Sequence, residues 1–154
     1  MSQENVEKVR EFVATWDGEV LRPESRPFQR IFSSEVAVAL YAPDAVYEDA
    51  ILPDHVGEPY RGLDSFIRAA GGWIEPSEWV RVDLDKIIDA DERVVSLHRV
   101  HSKMRHTGIE FDSLPLAYIF TFQDGRVTHH RAVDDHTEAL EAVGLSEQDA
   151  NADS

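Results

Sequence analysis

At 154 residues, 42% apolar and 29% charged, the chain is long enough for one domain with its own core and contains no apolar run of membrane-spanning length. Thirty acidic against fifteen basic side chains give a formal charge of −15, which disfavours nucleic acid and anionic membranes as partners. The absence of cysteine excludes disulfides, a thiolate nucleophile and a cysteine-based zinc site; together with the polar start Met1-Ser2-Gln3-Glu4-Asn5, unlike a signal peptide, it points to the cytoplasm.

Val6, Val9, Phe12, Val13 and Trp16 share one helical face and predict a first helix over 5–16, weakened at Gly18. The stretch 21–27, with two prolines, reads as a loop. A second helical region falls within 28–41, stopped by Pro43. The segment 45–52, partly β-branched and bounded by Pro43 and Pro53, reads as a strand, and 53–62 as a loop. Leu63, Phe66, Ile67 and Ala70 predict a short third helix ended by Gly71-Gly72. The period then changes to two. Val80, Val82, Leu84 and Ile88 mark one strand, 93–104 a second, and a long strand reaches Phe122. Asp124-Gly125 is a hairpin signal, leading into a last strand over 126–133. Asp135 and Glu138 have the spacing of a capping box and open a short helix closed by Gly144. Residues 146–154 read as a flexible acidic tail behind a single domain of residues 1–145.

Helices followed by an antiparallel meander predict an α+β fold: a cone-shaped, curved antiparallel (mixed) β-sheet wrapped by three N-terminal helices, with a short C-terminal helix. Helices over the open side of such a sheet leave a conical cavity, the natural place for a ligand. Asp49 is the most informative residue. Strand interiors are poor in acids, and a half-buried carboxylate is desolvated, as in many proton carriers. Alternation alone does not choose between Glu48 and Asp49, because both faces of that strand are mixed. Asp49 can equally be a structural acid.

Arg99 and His101, two apart, share a face with Val95 and Leu97 and are expected to point inward, with Asp49 a candidate partner for Arg99. Trp16, Trp73, Tyr47, Tyr60 and Phe28 can line a pocket or serve as ordinary core or interface aromatics. Seven histidines invite a metal site, yet no His-Glu-x-x-His spacing occurs and adjacent His129 and His130 face opposite ways on a strand; no metal is expected. No Gly-rich phosphate loop and no Gly-x-Ser-x-Gly elbow is present, so nucleotide binding and serine-hydrolase chemistry lack support.

Four stretches carry a family resemblance: Met1-Ser2-Gln3-Glu4-Asn5-Val6-Glu7; Ala42-Pro43-Asp44-Ala45-Val46-Tyr47-Glu48-Asp49; Tyr60-Arg61-Gly62-Leu63; and Phe122-Gln123-Asp124-Gly125-Arg126-Val127 with Glu138-Ala139-Leu140-Glu141-Ala142-Val143-Gly144-Leu145. In that order they resemble the SnoaL-like, ketosteroid-isomerase-related proteins of the nuclear transport factor 2-like superfold. The resemblance implies a small hydrophobic ligand, no cofactor and a homodimer formed through the exposed sheet face. It is specific for fold and weak for chemistry, because the superfold hosts many reactions and non-enzymatic binders.

Residue by residue, Glu48-Asp49-Ala50 resembles the Glu-Asp-Pro run of ketosteroid isomerases, which places the proton-shuttling base at Asp49. The first-helix tyrosine of those enzymes is matched by Phe12, which cannot donate. Their second oxyanion donor falls on Tyr118, whose phenol can. Epoxide hydrolases of the fold use an Asp-Arg-Asp set. Here Arg99 matches the arginine, while His101 and Ala132 replace the acids, which argues against that reaction. For the acid–base work of SnoaL-type cyclases, Asp49, His101 and His130 are available. The resemblance therefore implies cofactor-free proton transfer on a hydrophobic carbonyl compound, as in an isomerase or cyclase, with Asp49, Tyr118 and His101 as catalytic candidates. Phe12, Trp16, Tyr47, Tyr60, Trp73, Arg99 and His130 are the pocket candidates. The alternative is a non-catalytic ligand-binding or dimeric interaction protein.

Overall fold

Apolar residues three and four apart build the first helix, α1 (Ser2–Ala14), and bury Val9, Phe12 and Val13 almost completely. These coordinates come from a computed structural model, which describes residues 2–49, 60–146 and 148. The expected loop from Pro53 up to residue 59, the segment Ala50-Ile51-Leu52 and nearly all of the acidic tail lie outside the described residues. Helix α1 stops short of Trp16, where the Thr15 hydroxyl donates to the Phe12 carbonyl at 2.7 Å. Gly18, at φ +71°, then turns the chain into a two-residue edge strand, β1 (Val20–Leu21). The expected loop over 21–27 holds a 3₁₀ turn (Pro23–Ser25).

The expected helical region over 28–41 is two helices, α2 (Pro27–Phe32) and α3 (Glu35–Leu40). Ser34 separates them. Its hydroxyl donates to the Ile31 carbonyl at 2.7 Å and accepts from the Ala37 amide at 3.2 Å, so one side chain closes the first helix and caps the second. Pro43 does not stop a helix. The chain is already extended at Tyr41, and Pro43 lies inside β2 (Tyr41–Asp49), within a stretch where the pairing to the last strand slips between Tyr41 and Val46. An irregular stretch of ladder tolerates a residue without an N–H.

After β3 (Tyr60–Arg61), helix α4 (Leu63–Ile74) continues through Gly71 and Gly72, where the sequence predicts its end. Phe66 and Ile74 are buried on its inner face, and that burial carries the helix past two weak helix formers. The remaining strands follow the period-two pattern: β4 (Ser77–Ala90), β5 (Arg93–Met104), β6 (Glu110–Gln123) and β7 (Arg126–Val133). Asp124 and Gly125, at φ +53° and +82°, make the tight turn between the last two. Asp135 accepts from the Glu138 amide and caps α5 (His136–Ala142).

The seven strands form one curled, unclosed sheet in the order β1-β4-β5-β6-β7-β2-β3. Among the described residues every pairing is antiparallel except β2 with β7, which is parallel. Register shifts between Leu84 and Lys86 and between Val100 and Ser102 mark the bulges that bend the long strands. The concave face and helices α1–α4 enclose the main core. On the convex face a smaller core forms where α5 covers Ile88, Val95, Leu97 and Ile119. The His136 ring nitrogen Nε2 donates to the carbonyls of His98 (2.9 Å) and Leu116 (3.1 Å), pinning the start of α5 to β5 and β6.

Because Gly71 and Gly72 are helical and nothing lies within 4 Å of a Cβ built on either, alanine fits at both. Gly71→Ala and Gly72→Ala are each expected to stabilise the protein by about 0.5–1 kcal/mol, read from urea unfolding. A loss of stability in either would show that the glycine serves the backbone there.

Candidate active site

The parallel ladder sets the site. On β2, Ala45, Tyr47 and Asp49 turn inward while Val46 and Glu48 are only half-buried, so the alternation is resolved in favour of Asp49, which is 3% exposed. Glu48 instead contacts the outward His129 ring at 2.9 Å. Asp49 lies opposite Ala132 of β7, and Ala132 lies opposite Tyr118 of β6. One row across three strands therefore holds a carboxylate, a methyl group and a phenol. In the next row Tyr47 faces His130, which faces Phe120. The small Ala132 side chain leaves open the space between its two polar neighbours.

Tyr47, Asp49, Tyr118, His130 and Ala132 of these rows form the floor of a cavity with mainly apolar and aromatic walls, the composition of a small-molecule site. Helix α1 and the residues after it contribute Phe12 and Trp16, α2 contributes Phe28 and Phe32, and α4 contributes Phe66 and Trp73. Among the described residues lining it there is no lysine or arginine, and Asp49 is the one carboxylate.

The Tyr47 hydroxyl donates to Asp49 Oδ2 at 2.6 Å, a short charge-assisted bond that fixes one oxygen of the carboxylate. Burial first, and then the Asp49 charge, hold the Tyr47 phenol well above its ordinary pKa; the same two causes act on Tyr118. Both phenols are thus proton donors throughout the physiological range. Among the described residues nothing hydrogen-bonds to the Tyr118 hydroxyl, and part of the Tyr118 side chain stays open to the cavity.

His130 Nδ1 is hydrogen-bonded to the Tyr41 hydroxyl at 2.8 Å, and its Nε2 is buried with no partner among the described residues. Burial, with smaller contributions from His129 and His98, pushes its pKa down to about 3. His98, behind Trp16 and Tyr118, is likewise held at about 3 by burial and by His136, with its Nε2 on the Ser96 hydroxyl at 2.7 Å. Two neutral imidazoles thus sit in and behind the cavity wall. No group of three or more metal-ligating side chains occurs among the described residues.

Residues 32–130, more than half of the sequence, match the SnoaL-like domain family. The chain belongs to the SnoaL-like domain family. No curated protein matches the sequence. Among solved structures, this SnoaL-like protein is similar to an NTF2-like protein of unknown function from Burkholderia pseudomallei K96243, at 20% identity over 92% of this chain and 98% of that one, with a TM-score of 0.63. It is also similar to a candidate SnoaL-like polyketide cyclase from Jannaschia sp. CCS1, at 19% identity over 92% of each chain, TM-score 0.62. A third is TerC, co-crystallised with polyporic acid, at 15% identity over 91% of this chain and 98% of that one, TM-score 0.60. At these identities the likeness is one of fold.

The SnoaL-like fold brings together Asp49, Tyr118, Tyr47, His130, Phe12, Trp16 and Trp73 of the residues expected at the site. It does not bring Arg99, His101 or Tyr60 there. Arg99 pairs with Asp85 at 3.3 Å on the convex face, and His101 sits on that face between Asp83 (3.1 Å) and Asp112 (2.6 Å). Their strand neighbours Val95 and Leu97 are buried under α5, not under the main core. An apolar convex face made both sides of β5 look inward, so the expected Arg99–Asp49 pairing does not form. Tyr60 packs against the Tyr47 ring at 6.2 Å, at the sheet edge. Sequence reasoning missed Tyr41 as the partner of His130 and Tyr47 as the clamp on Asp49. The second was signalled by the i, i+2 spacing.

The neutral histidines make stability depend on pH. Each is unprotonated in the folded chain down to about pH 3 and takes up a proton near 6.5 when unfolded. Their contribution is therefore fully present above about pH 6.5 and is lost as the pH falls towards 3. Between pH 7 and pH 5 each is expected to cost about 2 kcal/mol. Urea unfolding at the two values should show a His130→Gln variant losing about 2 kcal/mol less than the wild type. An equal loss in both would mean that His130 titrates normally.

Proposed function

We propose that this SnoaL-like protein takes a small, hydrophobic carbonyl compound into the cavity and moves a proton on it without a cofactor, as an isomerase or cyclase does. The observation that carries this reading is the Asp49–Ala132–Tyr118 row: an acceptor and an unengaged donor separated by a methyl group, under an aromatic roof. Asp49 would withdraw a proton from the carbon next to the carbonyl. The Tyr118 hydroxyl would donate to the enolate oxygen as charge builds there, and Tyr47, through Oδ2, would orient the carboxylate. TerC, of similar fold, was co-crystallised with polyporic acid, which supports a carbonyl-bearing aromatic ligand for this cavity.

The reaction common to isomerisation and cyclisation can be tested without knowing the natural substrate. Solvent deuterium exchange at the carbon beside the carbonyl of naphthylacetone, followed by NMR, should be accelerated by the wild type. Asp49→Asn is expected to reduce it about 10²–10⁴-fold and Tyr118→Phe about 10²–10³-fold. His101→Ala, on the convex face, should leave it unchanged. Full exchange in the Asp49→Asn protein would rule out this mechanism.

A second reading, a non-catalytic ligand-binding protein, is favoured by Phe12. It lines the cavity where the isomerase pattern has a donating tyrosine, and its ring cannot donate. Assembly as a homodimer through the convex sheet face is compatible with either reading and is expected from the family. Sedimentation equilibrium showing a monomer would remove it.

A further inference from the structure

A buried polar atom without a hydrogen-bond partner costs stability, and folded chains rarely keep one. His130 keeps one in the cavity wall, at Nε2. Its other nitrogen, Nδ1, is 2.8 Å from the Tyr41 hydroxyl, and that contact fixes the tautomer. The Tyr41 phenol is buried and has no second partner among the described residues. Were Nδ1 to carry the proton, the Tyr41 O–H and the Nε2 lone pair would both be stranded. With the phenol donating to Nδ1, only the Nε2–H is stranded. One orphan costs less than two, so the proton resides on Nε2.

The rings of Tyr47, Phe66, Tyr118 and Phe120 surround the imidazole, with centroids 4.5 to 6.1 Å away. They shield Nε2 from water and bring no acceptor to it; an aromatic face is a weak substitute for an oxygen. Burial keeps the ring neutral down to about pH 3, so the N–H persists as a donor at physiological pH. The same ring lines the cavity, perpendicular to that of Tyr118 at 4.7 Å on the neighbouring strand. An N–H with no partner in the empty cavity gives up none when a ligand oxygen reaches it, and the bond then forms in a dry, low-dielectric place.

We infer that His130 Nε2–H donates a hydrogen bond to the ligand's oxygen, giving the cavity two donors on adjacent strands, His130 and Tyr118. The cavity thereby prefers a carbonyl compound to a hydrocarbon of the same shape. This rests on the proposed reading of the cavity as the site of a carbonyl compound, and not on proton transfer by Asp49.

Two probes of one shape test it: naphthylacetone, and methallylnaphthalene, in which a methylene group replaces the carbonyl oxygen. In the wild type, proton–nitrogen correlation NMR is expected to find His130 protonated at Nε2. Naphthylacetone should move that proton downfield and methallylnaphthalene should not. By equilibrium dialysis, His130→Phe should lower the preference for naphthylacetone over methallylnaphthalene about five-fold. The wild-type spectra decide the matter should that variant fail to fold. A bare Nε2, an Nε2–H that answers neither probe or both alike, or an unchanged preference in folded His130→Phe overturns the inference, while binding of the probes leaves the cavity reading intact. If neither probe binds, both fail. Absence of deuterium exchange alongside the expected spectra would remove the proton-transfer reading and leave the donor in place.

Discussion

Everything at the site depends on the parallel pairing of β2 with β7. Among the described residues it is the one parallel contact in an otherwise antiparallel sheet, and it joins a strand early in the chain to the last one. Through it Asp49 meets Ala132 and Tyr47 meets His130. Without it the helical half of the protein would carry the carboxylate and the meander would carry the phenol, with no reason to meet. Parallel neighbours need a long crossover, and here it runs from residue 50 to residue 125, about half of the chain. Contacts of such sequence separation are slow to form. The bulges in β4–β6 complement it by bending the sheet far enough for the helices to span the concave side.

The cavity floor is polar in hydrogen-bonding capacity and almost free of charge. Tyr41 and Tyr47 each spend their hydroxyl on a neighbour, one on His130 and one on Asp49. His98 and His130 each keep one ring nitrogen buried and unpartnered among the described residues, which costs stability of the order of 1–3 kcal/mol per group. A core of leucines at the same places would be cheaper. Among the described lining residues, the imidazole and the phenols beside Asp49 are uncharged across the physiological pH range and add no charge of their own.

The strands were legible because their period is two and their ends carry turn chemistry: Arg93–Met104 and Arg126–Val133 emerge at the bounds that alternation and Asp124-Gly125 predict. Helix ends were less legible. Gly71-Gly72 and Pro43 are strong local signals overridden by packing and by a strand irregularity, whereas the Ser33-Ser34 break is local chemistry that apolar spacing conceals. At the site, the inward face of Asp49 could not be read from alternation, and the resemblance to a Glu-Asp-Pro run supplied it. Arg99 and His101 misled for a definable reason. Alternation identifies which residues share a face, but not which of two apolar faces is the cavity, and α5 gives this sheet two.

The two sides of the cavity differ in mechanical character. Asp49, Tyr118 and His130 stand on strands of eight to fourteen residues that pair with one another around the site. The opposite wall is shared by α1, α2 and α4, and α2, with six residues, is too short to persist without the contacts it makes. Chemistry is thereby assigned to the stiff side and shape to the compliant one. A receptor divided this way should be exacting about where a ligand places its polar atom and forgiving about the outline of its apolar remainder. New ligands could then be acquired by substitutions at Phe28, Ile31 and Phe32 of one short helix without disturbing the Asp49–Ala132–Tyr118 row.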